Sequence, residues 1–214
     1  MNKLQEYKPI ILKICKYLFD FIIVFTGVFL AFWLSEHKDN REKEDKKREI
    51  YIAIYEDLNS FYESGKRENK KGFVNFFESL DRRSDSLISS RKIPVKTTLY
   101  GDYWKIPIIN SFVQNGFLRD IDVSTFKKIT RFNTVHQNLL ENIKDYNIFY
   151  DKYVTADYDK GMEHFYKEGT NKLKPKYSYL ENALAETAAF ADLLVNLAHE
   201  LSMEIKEKHI DKEK

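Results

Sequence analysis

The chain has one cysteine among its 214 residues, Cys15. A lone cysteine excludes an intrachain disulfide and a thiolate metal cluster. The absence of cysteine after residue 15 suits an oxidising compartment for everything that follows. Glycine (7) and proline (4) are scarce, which favours helix over sheet and leaves no glycine-rich loop to cradle a phosphate. An excess of one charge is also missing. Lys+Arg (35) and Asp+Glu (33) nearly cancel, so there is no basic stripe of the kind that recognises nucleic acid. Stretches such as DNREKEDKKRE interleave the two signs and read as a solvated helix surface.

Hydrophobic residues are concentrated near the amino end. Residues 17–34, YLFDFIIVFTGVFLAFWL, form a helix of about 27 Å, close to the ~30 Å thickness of bilayer hydrocarbon. Tyr17 and Trp33 stand at its two ends, where amphipathic rings prefer the interface. No small-residue cleavage pattern follows, and Cys15 precedes the run, so neither a cleaved signal peptide nor a lipoprotein signal fits. The reading is an uncleaved anchor. Lys3, Lys8, Lys13 and Lys16 precede it against Glu6 alone, whereas six Lys/Arg and six Asp/Glu balance over 36–49. A strict Lys/Arg count, four against six, slightly favours the second flank inside. The net charge lies on the short N-terminal flank, however, and long domains translocate largely regardless of charge, so the reading is a cytoplasmic stub over 1–16 and an outward domain over 35–214.

Asp20 lies about one turn inside the run. Two accounts stand: it pairs with Lys16, four residues earlier, or it meets a partner helix. Asp20, Val24, Gly27 and Ala31 share one stripe, and Gly27 and Ala31 form a small-x-x-x-small pair that lets another helix approach closely.

The remainder reads as all-α. Ile50, Ile54, Leu58 and Phe61 recur at helical spacing, predicting one helix from the membrane to about Asn69. A second helix with Phe73, Phe76, Phe77, Leu80 and Leu87 as its apolar side is expected to return antiparallel to the first. Residues 91–107, RKIPVKTTLYGDYWKIP, break the pattern as an ordered aromatic excursion. A short helix follows, stopped at Gly116, with Asp122 or Ser124 capping the next, which is expected over about 125–155 with two apolar sides. Short helical turns near 157–168 lead to a loop at 169–175. Ser178 and Glu181 have capping-box spacing. From Leu180 to Ile205, apolar residues alternate steps of four and three, the seam of a bundle or coiled coil. The seam is expected to pack on the long first helix, with a dimer seam as the alternative. The charged tail is expected to fray.

Motifs for chemistry are missing. No histidine has Glu or Asp three residues before it, so the di-iron pattern of helical bundles is absent. HELSM begins like a zinc-protease motif, but Met203 stands in place of the second histidine. No nucleophile elbow occurs. The expectation is therefore no catalytic residue, no metal and no cofactor. Tyr100, Tyr103 and Trp104 form a candidate recognition surface, against the alternative of a lid whose rings plug the bundle's end.

The stretches 19–47 and 111–132 resemble a bacterial family of small single-pass membrane proteins, a domain of unknown function. That family opens its span with an acidic residue, spaces Gly and Ala four apart, and later carries a short helix, Gly, Leu, Ile-Asp and a further helix. Asp20, Gly27 and Ala31 stand at the first places, and Gly116, Leu118, Ile121 and Asp122 at the second. Ser35, Glu36 and His37 replace the family's Trp-Asn-Glu element. The resemblance implies a bacterial envelope setting, a single N-terminal transmembrane helix and a helical domain outside the membrane. It implies no activity.

The expectation is thus a transmembrane helix followed by an antiparallel helical bundle in the bacterial inner membrane, its main domain periplasmic. Its partners are membrane lipid and another membrane protein or a second copy. It would serve as a non-enzymatic interaction module or accessory subunit, or alternatively as a ligand-sensing bundle. With sixteen residues on the far side, a sensor would have to signal through a partner's span.

Overall fold

The computed structural model describes residues 4–93, 99 and 104–211, with side chains from residue 21 onward. The fold is all-α. Its helices are α1 (Leu4–Gly65), α2 (Phe73–Ser89), α3 (Pro107–Asn115), α4 (Val123–Phe149) and α5 (Ala183–Ile205), joined by short 3-10 and π turns. Among the described residues the extended pairing is one isolated bridge, Tyr166 with Leu173. The chain divides into two compact units, Met1–Lys47 and Arg48–Lys214.

In the first unit every described residue from 21 to 46 is exposed. In the second, the helical repeat of α1 packs inward as its spacing predicts: Ile50, Tyr51, Ile54, Leu58 and Phe61 are all buried. The helix stops at Gly65, four residues before the expected end. There the Lys66 and Asn69 amides bond to Tyr62 O and Lys66 O. The Asn75 side chain donates to Arg67 O and Asn69 O, closing the turn.

α5 runs antiparallel to this part of α1. Tyr51 stacks on His209 at 3.8 Å, Tyr62 stacks on His199 at 4.3 Å, and a methyl group on Gly65 would meet Val195. The partner on α5 steps back as α1 advances. Leu184, Thr187, Ala191, Leu194, Ala198, Leu201 and Ile205 are all buried within the one chain, so the seam is filled internally.

α2 does not return along α1. Its start lies at Phe61 through Phe73, and at Asp192 through Arg67, which also pairs with Glu78. Its far end meets the segment before α5: Tyr166 OH donates to Ile88 O at 3.2 Å, and Asn171 donates to Ser89 O at 3.1 Å. α2 therefore continues past the end of α1 and packs against α5 and the 3-10 turn Pro175–Glu181. Its buried side is Phe73, Val74, Phe77, Ser84 and Ile88, while Phe76 faces solvent.

The returning leg is the irregular segment. Ile93 N lies 3.5 Å from Met162 S. Leu99 exchanges two hydrogen bonds with the Asn147 side chain. The carbonyl of Trp104 accepts from His136, Ile109 N–H donates to Asp57, and Asp122 reaches Tyr51. Successive residues thus meet earlier positions on α4 and then on α1. Its fixed points Ile93, Leu99, Trp104 and Ile109 are all buried. Between its fixed points lie residues 94–98 and 100–103, outside the described residues.

α4 begins at Val123 with Asp122 as N-cap, whose Oδ1 accepts from Thr125 N–H at 2.9 Å. Gly116 terminates α3 in the left-handed region at φ 72°, a conformation that favours glycine. Both expected sides of α4 reach the core. Ile129 and Ile143 on one side and Phe132, Leu139 and Tyr146 on the other are buried, Leu140, Val135 and Phe149 are partly buried against them, and Phe126 is 41% exposed. The capping box before α5 does not form. Pro175 opens a 3-10 turn, and the Ser178 hydroxyl donates to Pro175 O at 2.9 Å within it. Asn182 then caps α5 without a side-chain hydrogen bond. The tail is ordered as far as a π turn, Lys206–Ile210, because His209 stacks on Tyr51.

Candidate functional site

The first unit carries one helix long and apolar enough to cross a membrane, near the N-terminus, and none of its apolar stretch is buried. Phe21 is 65% exposed and Phe32 72%. Phe21, Phe25 and Phe29 form a ladder of stacked rings 6.0 and 6.4 Å apart. Trp33 stacks on His37 at 5.7 Å at the polar end. At 100° per residue, Val24, Gly27 and Ala31 lie about 120° round the helix from the phenylalanine ladder. The phenylalanine ladder and the Gly27–Ala31 pair therefore lie on different faces, the latter shared with Ile23, Val24 and Leu34. A methyl group on Gly27 would meet no atom within 4 Å, and Ala31 is exposed. Asp20 belongs to α1 by its backbone; its side chain and that of Lys16 lie outside the described residues.

The expected aromatic recognition surface does not hold for Trp104. Its indole is 2% exposed and packs against Phe73 at 5.6 Å and Phe77 at 5.0 Å. It is a core ring fixed by the Trp104 carbonyl, which accepts from His136 Nε2 at 2.6 Å. Tyr100 and Tyr103 lie outside the described residues.

Four polar constellations were not legible in the sequence: three join residues 32 or more positions apart, and the remaining one gathers irregular turns within 20 positions. The buried carboxylate of Asp57 accepts from Ile109 N–H at 2.9 Å and so caps α3 from another helix. Burial pushes its pKa up, against the lowering effect of the Ile109 and Ile108 amides. His136 is buried, and burial pushes its pKa down, opposed by the bond to Trp104. With Nε2–H donating to that carbonyl, Nδ1 has no hydrogen-bond partner.

Asp157, 5% exposed, is the third. It accepts from Lys160 at 2.6 Å and Tyr177 OH at 2.5 Å, pairs with Lys176, and lies 3.8 Å from His164 Nε2. The Lys160, Lys176 and Tyr177 bonds hold its carboxyl well below the usual carboxylate range. Three donors share its two oxygens, so this knot staples the turns over 155–177. The fourth is Tyr51, Asp122 and His209, with His209 Nε2 3.4 Å from Asp122 Oδ2. Its carboxylate is committed to the α4 cap, and among the described residues the cluster has no Ser or Cys to act as a nucleophile. Among the described residues no group of three His, Cys, Asp or Glu is placed to hold a metal ion.

A cleft of about 170 Å³ opens between α4 and α5. Phe132, Leu197 and Leu201 line its floor. Lys128 and Arg131 stand on the α4 side and Glu200 and Glu204 on the α5 side.

No protein-family model matches the chain, and neither a curated protein nor a solved structure matches it.

Proposed function

We propose that this chain is a membrane-anchored, non-enzymatic interaction module or accessory subunit of a bacterial envelope complex. In this reading residues 17–34 span the inner membrane, the N-terminus is cytoplasmic and the helical domain is periplasmic. The carrying observation is the fully exposed apolar run from Phe21 to Leu34. Fourteen consecutive unburied residues of this kind are unfavourable in water at roughly 25 cal/mol per Å² of apolar surface; lipid removes that cost. The sorting of the helix supports a division of labour: phenylalanines toward acyl chains, and Asp20, Gly27 and Ala31 toward a partner's helix. The partner is another membrane protein or a second copy. The resemblance of 19–47 and 111–132 to the single-pass family supports the same architecture.

The test has two arms. After alkaline carbonate washing the full chain should remain in the membrane pellet; its appearance in the wash would end the anchor reading. Asp20→Leu should leave the domain folded yet reduce recovery of a protein crosslinked from a cysteine at Gly27. Unchanged recovery would assign Asp20 to pairing with Lys16.

The second reading is a ligand-sensing bundle that acts through a partner's transmembrane helix. The cleft between α4 and α5 favours it. A sensor should gain thermal stability with one compound of a metabolite panel, and a scaffold should gain none.

A further inference from the structure

The α4–α5 cleft has two charged walls, and only one of its charge pairs is closed. At one end Lys128 pairs with Glu204, which also accepts from Lys208 at 2.6 Å. Hydrogen bonds from Lys128 and Lys208 hold the Glu204 carboxyl below its ordinary pKa. Glu204 is therefore satisfied and has little to offer a further cation. At the other end Arg131 and Glu200 line the same cleft but make no hydrogen bond or ion pair among the described residues. A guanidinium and a carboxylate thus stand on opposite walls with an apolar floor between them. That floor is Phe132 and Leu201, both buried, with half-buried Leu197.

We propose that this cleft binds a small apolar α-amino acid as its zwitterion. The ligand's carboxylate pairs with Arg131, its ammonium with Glu200, and its side chain covers Phe132, Leu197 and Leu201. Size narrows the class. A buried cavity of ~150 Å³ accepts a benzene, while drug-sized ligands occupy about 300 Å³ or more. A cleft of about 170 Å³ thus suits one amino acid and would seat only part of a nucleotide or a peptide. Charge narrows it further. A guanidinium presents a planar fork matched to a carboxylate, and an anionic wall favours an ammonium. A ligand with only one charge would leave the opposite wall unanswered. This inference rests on the ligand-sensing reading and not on the anchor: binding is measured whether or not residues 17–34 cross a bilayer, and its failure would leave the anchored scaffold standing.

The experiment is titration calorimetry of the full chain in detergent with L-leucine. Its comparators are 4-methylpentanoate (no ammonium), 3-methylbutylamine (no carboxylate) and glycine (no side chain). L-leucine should give saturable binding, and each comparator should bind at least about tenfold more weakly. Arg131→Gln and Glu200→Gln change exposed positions and should each weaken L-leucine about tenfold while circular dichroism stays unchanged. Leu197→Trp, which fills the cleft and keeps both charges, should abolish binding. The proposal is overturned by no L-leucine binding up to about 10 mM, by equal binding of the singly charged comparators, or by full affinity in both glutamine variants.

Discussion

The Tyr51 hydroxyl donates to Asp122 Oδ2 at 2.7 Å and accepts from the Asp122 backbone N–H at 3.1 Å. One phenol thereby ties α1 to the residue that caps α4, across 71 positions of sequence. Burial raises the Asp122 carboxyl, but bonds from Thr125 and Tyr51 and the charge of His209 outweigh it, leaving the pKa below the ordinary range. A lowered carboxylate stabilises the fold fully above its unfolded pKa of about 3.9, and that contribution is lost as pH falls through the folded value. Tyr51→Phe should cost about 1 kcal/mol at pH 7. Its deficit against wild type should hold steady from pH 7 to about 4 and narrow only as pH falls on towards the lowered folded pKa of Asp122, where the folded carboxyl takes up a proton. Urea unfolding of both proteins from pH 7 to about pH 2 measures this, and a gap that stays constant to the acid end would assign the loss to packing.

Asp57 separates the need for an acceptor from the need for a charge. Asp57→Ala removes the acceptor facing Ile109 N–H in a buried site and should cost about 2 kcal/mol. Asp57→Asn keeps an oxygen there. Because the Asp57 pKa is raised, the charged form is the one burial disfavours, and its contribution to stability falls as pH rises from the unfolded towards the folded pKa. The asparagine variant should therefore lie closer to wild type than the alanine variant at pH 7. Denaturant midpoints decide the order.

His136 should mark the acid side of the stability profile. Its folded pKa lies below its ordinary value, so the unfolded chain binds a proton more readily. Stability then falls as pH drops from about 6.5 towards the folded pKa. His136→Gln should lower stability at pH 8 but flatten the slope between pH 7 and pH 5. An unaltered slope would place the titrating group elsewhere.

Trp104 tests core against surface. Replacing a fully buried indole by alanine should cost about 3–5 kcal/mol, lowering the thermal midpoint sharply. Trp104→Phe should recover part of that loss. A stability change near zero would mean that the ring is dispensable to the core.

Gly65 is confined by Phe73 and Val195, which a methyl group would strike. Gly65→Ala gains helix propensity but overpacks this junction, for a net loss of about 1–2 kcal/mol. Gly27→Ala should change stability little in the isolated chain, since nothing lies within 4 Å; a folded-state loss there would reveal a neighbour in the assembly. Thermal melts of both variants give the comparison.

Helices were legible where a residue acts on its own neighbours. Asp122 caps α4, Gly116 ends α3, and the apolar spacing of α5 marks its buried side because each depends on residues within one or two turns. The Ser178–Glu181 spacing misled for a local reason too: Pro175 recruits the Ser178 hydroxyl into its own turn. The direction of α2 was not legible, because a short polar turn can lead a helix back or onward. The choice was made by Arg67 and Asn75 at the turn and by Tyr166 and Asn171 at the far end.

What the sequence determined alone is therefore the inventory: helices throughout, a long exposed apolar run near the start, and near-balanced charge. These follow from composition and periodicity, which act through nearest neighbours and through water. Only the tertiary structure decided that Trp104 is core, that Asp57 and Asp122 bridge elements, and that Arg131 and Glu200 face one another's wall across an open cleft. Such relations join residues that the chain holds dozens of positions apart. Their energies arise from burial and from partners that exist only once the helices have packed.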